Sequence, residues 1–266
     1  MNMVKVTASL VKELRLRTGA GIMECKKALI DSGGNLELSI DFLRKTGHIK
    51  AEKKNSRITA QGSIFTYLHK NTAAILELNC ESDFVAKDIE FISLGQIIVE
   101  LACLKQISNI DLLKKTFEEK RISLLLKVGE NINIARIALL QGEKIVSYVH
   151  DSRIGVLVGA TSDSNKEILK QIAMHITASK PEFLNENKIP KSIIDREYKI
   201  QLDIAKKFKK NKLISEKIVQ GRMKKFFSEI TLIGQKFVMD VEKTIGQLLL
   251  ENKSEVTSFI RFEIGE

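Results

Sequence analysis

The chain has 266 residues, 44% of them hydrophobic and 29% charged, with a formal net charge of +10. That supports one large or two modest globular domains with ample core, and no apolar run approaches the roughly 18 residues of a membrane span. The three cysteines, Cys25, Cys80 and Cys103, form no CxxC pair and are odd in number, which disfavours a disulfide framework or a zinc site and fits a reducing cytoplasm.

The opening MNMVKVTASL has no signal-peptide core, because charge returns at Lys12 and Glu13. Thr7 or Ser9 can cap a first helix carrying Leu10, Val11 and Leu14. It stops at Thr18-Gly19-Ala20-Gly21, where glycine permits a reversal that bulkier residues resist. A second helix is predicted over about Ile22–Asp31, ending at Gly33-Gly34, and Asn35 can cap a third that carries Leu36, Ile40 and Leu43. Together they read as a small three-helix module within residues 1–55, with the basic stretch after Gly47 as its tether.

An internal repeat organises the middle of the chain. GSIFTYLHKNTAAILELNCESD (62–83) and GEKIVSYVHDSRIGVLVGATSD (142–163) both open with Gly, alternate to a His (His69, His150), turn, and return through an apolar strand to Ser-Asp. Period-two alternation around a polar turn predicts a hairpin. Each hairpin precedes a helical pattern, Ile89–Leu104 and Lys166–Ala178, and Leu112–Lys127 and Ile132–Leu140 read as a further helix and strand. The fold class expected is α+β, with two similar hairpin-plus-helix subdomains, 56–141 and 142–190 with 228–266.

The insertion at 191–227 reads as an antiparallel helical hairpin. Ile194, Tyr198, Leu202, Ala205 and Phe208 make one apolar stripe, Lys209-Lys210-Asn211-Lys212 a turn, and Ile214, Ile218, Val219, Met223 and Phe226 the facing stripe. Residues 191–225 hold twelve Lys and Arg against four Asp and Glu, so this segment carries most of the net charge. It lacks the aromatic interleaving of a single-strand platform, and solvated helix faces explain the charge. A smaller basic cluster, Arg44-Lys45, Lys50, Lys53-Lys54 and Arg57, takes the same reading. Phe237-Val238-Met239 and Phe259–Ile264 are expected as extended pieces.

Catalytic constellations are not found. There is no GxxxxGK[ST], GxSxG or HExxH; Gly19-Ala20-Gly21 follows a helix and lacks the third glycine of a dinucleotide fingerprint; and His48, His69, His150 and His175 are scattered. His175 sits beside an apolar helix face, as a packed histidine would. No catalytic residue, metal ligand or cofactor is expected, and a binding protein is favoured over an enzyme.

The most informative stretch is ELNCESDFVAKD (77–88). An apolar strand-like run, Ala73–Leu78, feeds a polar turn that sets an acid beside a large aromatic, Asp83-Phe84. Phe84 can fold back into the core, the usual fate of phenylalanine, or remain available as an anchor for a partner.

That stretch resembles a signature of translation elongation factor Ts. LRLRTGAGIMECKKAL (14–29), KVGENINIARIA (127–138), IAMHITASKPEF (172–183), GRMKKFF (221–227), TIGQLL (244–249) and EVTSFIRFEIGE (255–266) also look like segments of that family, in its order. The resemblance implies a ubiquitin-associated-like N-terminal module, a protruding helical hairpin and a guanine nucleotide exchange factor in cytoplasmic protein synthesis. Its partner would be elongation factor Tu, GDP-bound and nucleotide-free, with no DNA or membrane contact. Phe84, with Asp83 beside it, would wedge near the partner's Mg²⁺ site, and Ser82 and Val85 would shape the turn. Arg15, Ile22 and Met23 would grip the GTPase domain, and Val128 and His150 match further interface positions. The family often has two methionines where this chain has Ile22-Met23. Many members also continue beyond the position of Glu266 into a helix that touches the partner. The rival reading is an RNA- or ribosome-binding protein using the basic hairpin, with the steep salt dependence of phosphate contacts.

Overall fold

The computed structural model describes residues 6–207 and 212–266, so Phe208 and Lys209-Lys210-Asn211 of the expected stripe and turn lie outside the described residues. Helices α1 (Ala8–Thr18), α2 (Ile22–Asp31) and α3 (Leu36–Lys54) open the chain. Thr7, not Ser9, caps α1 by accepting from the Leu10 amide, and Asn35 caps α3 through Leu38. Gly19 ends α1 at φ 69°, a left-handed conformation suited to glycine. Leu14, Ala20, Cys25, Ala28, Leu29 and Leu43 form the module's core.

The expected tether is instead the last two turns of α3. The helix continues through Gly47 because that residue is a contact point: a β-carbon there would press to within 2.8 Å of Leu126 and 3.0 Å of Ile122. Ala51, Ile122 and Leu125 complete this seam. The basic residues are used as internal ties as well as solvated. Lys50 pairs with Glu24, Lys54 donates to the Gly129 carbonyl, and Arg57 reaches Glu81 at 3.4 Å.

The α+β expectation holds. Strands β1 (Gln61–His69) and β2 (Thr72–Cys80) form an antiparallel hairpin in register from Gln61↔Cys80 to His69↔Thr72. A short helix α4 (Asp83–Ala86), then α5 (Ile89–Lys105), α6 (Ile110–Val128) and β3 (Ile132–Gln141) follow, with sheet order β1-β2-β3. Every residue of β2 is buried, as a central strand covered on both faces requires. Helix α5 lies close on the sheet because Gly95 leaves room for the Phe65 ring.

Within β2 stands a buried acid, Glu77. It pairs with Arg136 of β3, whose guanidinium lies 4.3 Å from the Phe262 ring centroid and donates to the Glu263 carbonyl at 2.7 Å. The Gly265 amide returns to Glu77 at 3.4 Å, and the Ile264 amide to the Arg153 carbonyl at 3.0 Å. Residues up to Leu139, with Asp151–Ile154 and Phe262–Glu266, form one compact unit.

The second unit comprises Leu140–His150 and Gly155–Arg261. Strands β4 (Lys144–His150), β5 (Ile154–Ala160) and β8 (Val256–Glu263) make its sheet, in that order, and α7 (Lys166–Ser179) packs on β4. Helices α8 (Lys191–Lys207) and α9 (Lys212–Ile230) pack on one another around Ala205, Val219 and Met223, with Ile194, Leu202, Phe226 and Phe227 at the edges. Tyr198 and Ile214 of the expected stripes are exposed; for Tyr198, the phenol gains hydration that a core without a partner would deny. Only β6 (Lys236–Phe237) of the expected extended piece is strand. Val238 and Met239 turn into β7 (Asp240–Thr244), and Thr244 opens α10 (Ile245–Glu251) with a capping box to Gln247. Neither β7 nor α10 was foreseen.

His175 is fully buried, as expected of a packed histidine. Its Nδ1 accepts from the Val238 amide at 3.3 Å, so Nε2 carries the proton donated to Gln235 Oε1 at 3.0 Å. Gln235 Nε2 in turn donates to the Ser179 and Glu229 carbonyls. Burial lowers the histidine pKa below its ordinary 6.5, only partly opposed by the bond to Gln235. The unfolded chain therefore binds the proton more readily. Stability should be full above pH 6.5 and fall as pH drops from there toward the depressed folded value. Denaturant unfolding between about pH 7.5 and about pH 5.5 should show this slope, and His175→Gln should flatten it. A wild-type midpoint constant across that window would contradict the assignment.

Candidate functional site

The end of β2 hands the chain to a turn held by two acidic side chains. Ser82 is extended (φ −122°, ψ 159°) and caps α4, its Oγ accepting from the Val85 amide at 3.4 Å. A helix of four residues has too few internal bonds to stabilise itself, so its geometry must be imposed. Glu130, just after the left-handed Gly129 that ends α6, accepts from Ser82 Oγ at 2.6 Å and from the Ser82 amide at 2.9 Å. Glu81 reciprocates, accepting from the Asn131 amide at 2.7 Å, while Asn131 Nδ2 donates to the Arg57 carbonyl at 3.2 Å. The Cys80 thiol, pushed up to about 12 by burial and then by Glu130, stays protonated and donates to the Ser82 carbonyl at 3.1 Å.

On this frame Val85 points in and Phe84 points out. Val85 is 7% exposed and belongs to the first unit's core, whereas Phe84 is 83% exposed. The core alternative for Phe84 is therefore overturned. Asp83 is exposed and pairs with Lys87 at 3.1 Å. Asp88 caps α5 through the Glu90 and Phe91 amides at 2.8 and 3.3 Å. The residue between them, Ile89, is also 83% exposed, so two large apolar side chains flank one rigid turn.

A shallow depression beside Phe84 is lined by Val85, Asp88, Glu90, Leu124, Lys127 and Val128. Val128 is half-buried and packs on the core cluster while contributing to this wall. Lys127 binds both oxygens of Glu90, at 3.0 and 2.8 Å, and its methylenes run directly over Gly19, where a β-carbon would collide with them. That crossing places the α1–α2 turn next to the Phe84 turn. Ile22 (53% exposed) and Met23 (73%) stand on the first turn of α2. Arg15 is exposed near the end of α1, its carbonyl accepting from the Gly19 amide.

Ser82, Asp83, Phe84, Val85, Arg15, Ile22, Met23 and Val128 thus all belong to the first unit. His150 lies in the second, exposed at the end of β4, with Nδ1 3.1 Å from the Tyr148 hydroxyl. Sequence reasoning missed Glu130, Glu81, Lys127 and Ile89. The local signal for Glu130 was an acid directly after a helix-ending glycine and before a strand. Its partner lies 48 positions away, which no local pattern reveals. Among the described residues, no cluster of three or more His, Cys, Asp or Glu is placed to hold a metal ion, and no helix is long and apolar enough to cross a membrane.

Residues 81–266 match the family model described as elongation factor TS. The chain belongs to the elongation factor Ts family. It is 53% identical to elongation factor Ts of Photorhabdus laumondii over 263 residues, covering 98% of this chain and 93% of that one. The corresponding protein of Cronobacter sakazakii is 52% identical over 264 residues, covering 99% and 93%. With Yersinia pestis the identity is 52% over 266 residues. The family match begins at Glu81, and the relatives extend the likeness across the N-terminal helices as well. The chain is accordingly a translation elongation factor.

Because Phe84 is bounded by water, truncating it leaves little cavity. Phe84→Ala should change unfolding stability by less than about 1 kcal/mol, against the ~3–5 kcal/mol expected for a buried Phe. Val85→Ala, at the buried neighbour, should be the more destabilising of the two. Denaturant midpoints of the two variants check this, and a loss of several kcal/mol for Phe84→Ala would restore the core assignment.

Proposed function

We propose that this chain is a guanine nucleotide exchange factor that binds elongation factor Tu in its GDP-bound and nucleotide-free states and promotes GDP release. What carries the reading is the exposed Phe84 on a fastened turn, within the stretch that resembles the family's Asp-Phe signature. An apolar side chain of this size, kept in water by a rigid support, is suited to enter a pocket of a partner. We place Phe84 between elements of the partner's GTPase domain near its Mg²⁺ and phosphate site, with Asp83 at its side. Arg15, Ile22 and Met23 form a second grip on that domain, Val128 and His150 add contacts at the interface near the phosphate loop, and the second unit meets another domain of the partner. This work takes place in the cytoplasm.

The physics is linkage. A factor that binds the emptied partner better than the GDP-bound partner weakens GDP by the same ratio. A thousandfold weakening needs ~4 kcal/mol of differential contact. One buried aromatic anchor can supply about 2 kcal/mol or more of that, so Phe84 needs help from the other contacts but is the largest single contributor.

Substoichiometric amounts of the chain should accelerate release of labelled GDP from purified elongation factor Tu without hydrolysing GTP. Phe84→Ala should slow that release by roughly tenfold or more while binding persists, and Asp83→Ala should act in the same direction more weakly. No acceleration by the folded wild-type chain on its cognate partner would sink the proposal.

The basic helical hairpin is assigned an accessory role. Its small core of Ala205, Val219 and Met223 is separate from the core of the second unit's sheet. Deleting residues 191–225 and closing the gap with a short linker should leave a folded, exchanging protein. A folded deletion variant wholly unable to stimulate GDP release would refute the accessory role.

A further inference from the structure

The conformation that presents Phe84 is set two residues earlier, at Ser82, and Ser82 is set from a distant part of the chain. Its amide and hydroxyl both donate to the Glu130 carboxylate, at 2.9 and 2.6 Å. With its proton committed to Glu130, the Ser82 hydroxyl oxygen turns its lone pairs to the Val85 amide and caps α4. Glu130 is itself fixed on both sides. Gly129 at φ 78° caps α6 and is bound through its carbonyl by Lys54, and the Asn131 amide is held by Glu81. The neighbours on either chain thus exchange side-chain bonds: Glu81 reaches Asn131, and Glu130 reaches Ser82.

We infer that Glu130 is a positioning residue for nucleotide exchange, holding the Ser82 cap so that Phe84 is presented in its binding conformation before the partner arrives. The inference rests on the exchange reading above. Other contacts already keep this region folded: Val85 is in the core, and Asp88 caps α5 independently. What Glu130 adds is one fixed direction for the wedge. A group pre-organised for binding avoids the ordering cost that a loose turn would incur during docking. Two charge-assisted hydrogen bonds to one carboxylate are enough for an effect of about tenfold or more on the productive encounter.

The test uses the full chain with Glu130→Ala, Glu130→Gln, Phe84→Ala and the double variant Glu130→Ala with Phe84→Ala. Hydrogen exchange at the amides of 82–87 reads the turn without any partner, GDP release from elongation factor Tu reads function, and denaturant unfolding reads stability. Glu130→Ala should speed amide exchange across 82–87 and lower kcat/KM for GDP release about tenfold or more. Glu130→Gln, which keeps an acceptor oxygen for the Ser82 amide, should retain most of the rate. In the Phe84→Ala background, Glu130→Ala should lower the rate little further, because the group it positions is gone. A merely structural role would instead lower the rate equally in both backgrounds. That result would overturn the inference, as would unchanged amide exchange or an unchanged release rate in Glu130→Ala. If the wild-type chain releases no GDP, the exchange reading fails and takes this role with it. If the wild type accelerates GDP release and Glu130→Ala does so equally fast, only the positioning role fails.

Discussion

Everything around the candidate site depends on holding a short, intrinsically unstable turn at the end of a fully buried strand. Strand β2 is fixed by nine paired positions against β1 and by cover on both faces, so Cys80 arrives at the end of the strand with no freedom of register. Beyond it, the four residues of α4 could not hold a conformation alone. The carboxylates of Glu81 and Glu130 bond amides and a hydroxyl across the two chain segments and remove that freedom. Only with such support can a phenylalanine stay in water, forgoing the ~1.5–3 kcal/mol that burying it would bring.

The same economy of charge appears deeper in the first unit. Glu77 is an acid in an otherwise apolar strand, and burial of a lone carboxylate would be costly. Arg136 answers it, and the pair then organises the last residues described here, through the Phe262 ring, the Glu263 carbonyl and the Gly265 amide. Two buried or half-buried acids, Glu77 within β2 and Glu130 just after α6, thus do different things. One fastens distant sequence to the sheet, and the other steadies the turn that carries Phe84.

The positive charge of the chain is distributed by a different logic. Lys50, Lys54 and Arg57 act within the first unit, tying α3 to the segments that carry Glu24, Gly129 and Glu81. Lys127 bridges by shape as well as charge, its methylenes crossing Gly19 and its ammonium ending on Glu90. These ion pairs consume acids and bases in equal number, so they leave the +10 excess intact while fixing where several of the individual cations sit.

Much of the fold was legible in the sequence. The Thr7 and Asn35 caps, the bounds of α2, both hairpins and the helices after them follow from short-range rules of capping and period, which act within a few residues. The family's segments likewise marked Asp83-Phe84 and the turn near Ile22-Met23. Local rules failed beyond Gly47, where the basic stretch reads as a tether, because the reason for that glycine is a neighbouring helix rather than its own backbone. They also missed α10 and β7, too short for a periodic signal. Composition could not decide whether Phe84 is core or surface, since phenylalanine serves both. That choice was made by Val85 taking the inward position and by Glu130 fixing Ser82 from 48 residues away. Packing and hydrogen bonding between segments remote in sequence exist only once the chain has folded.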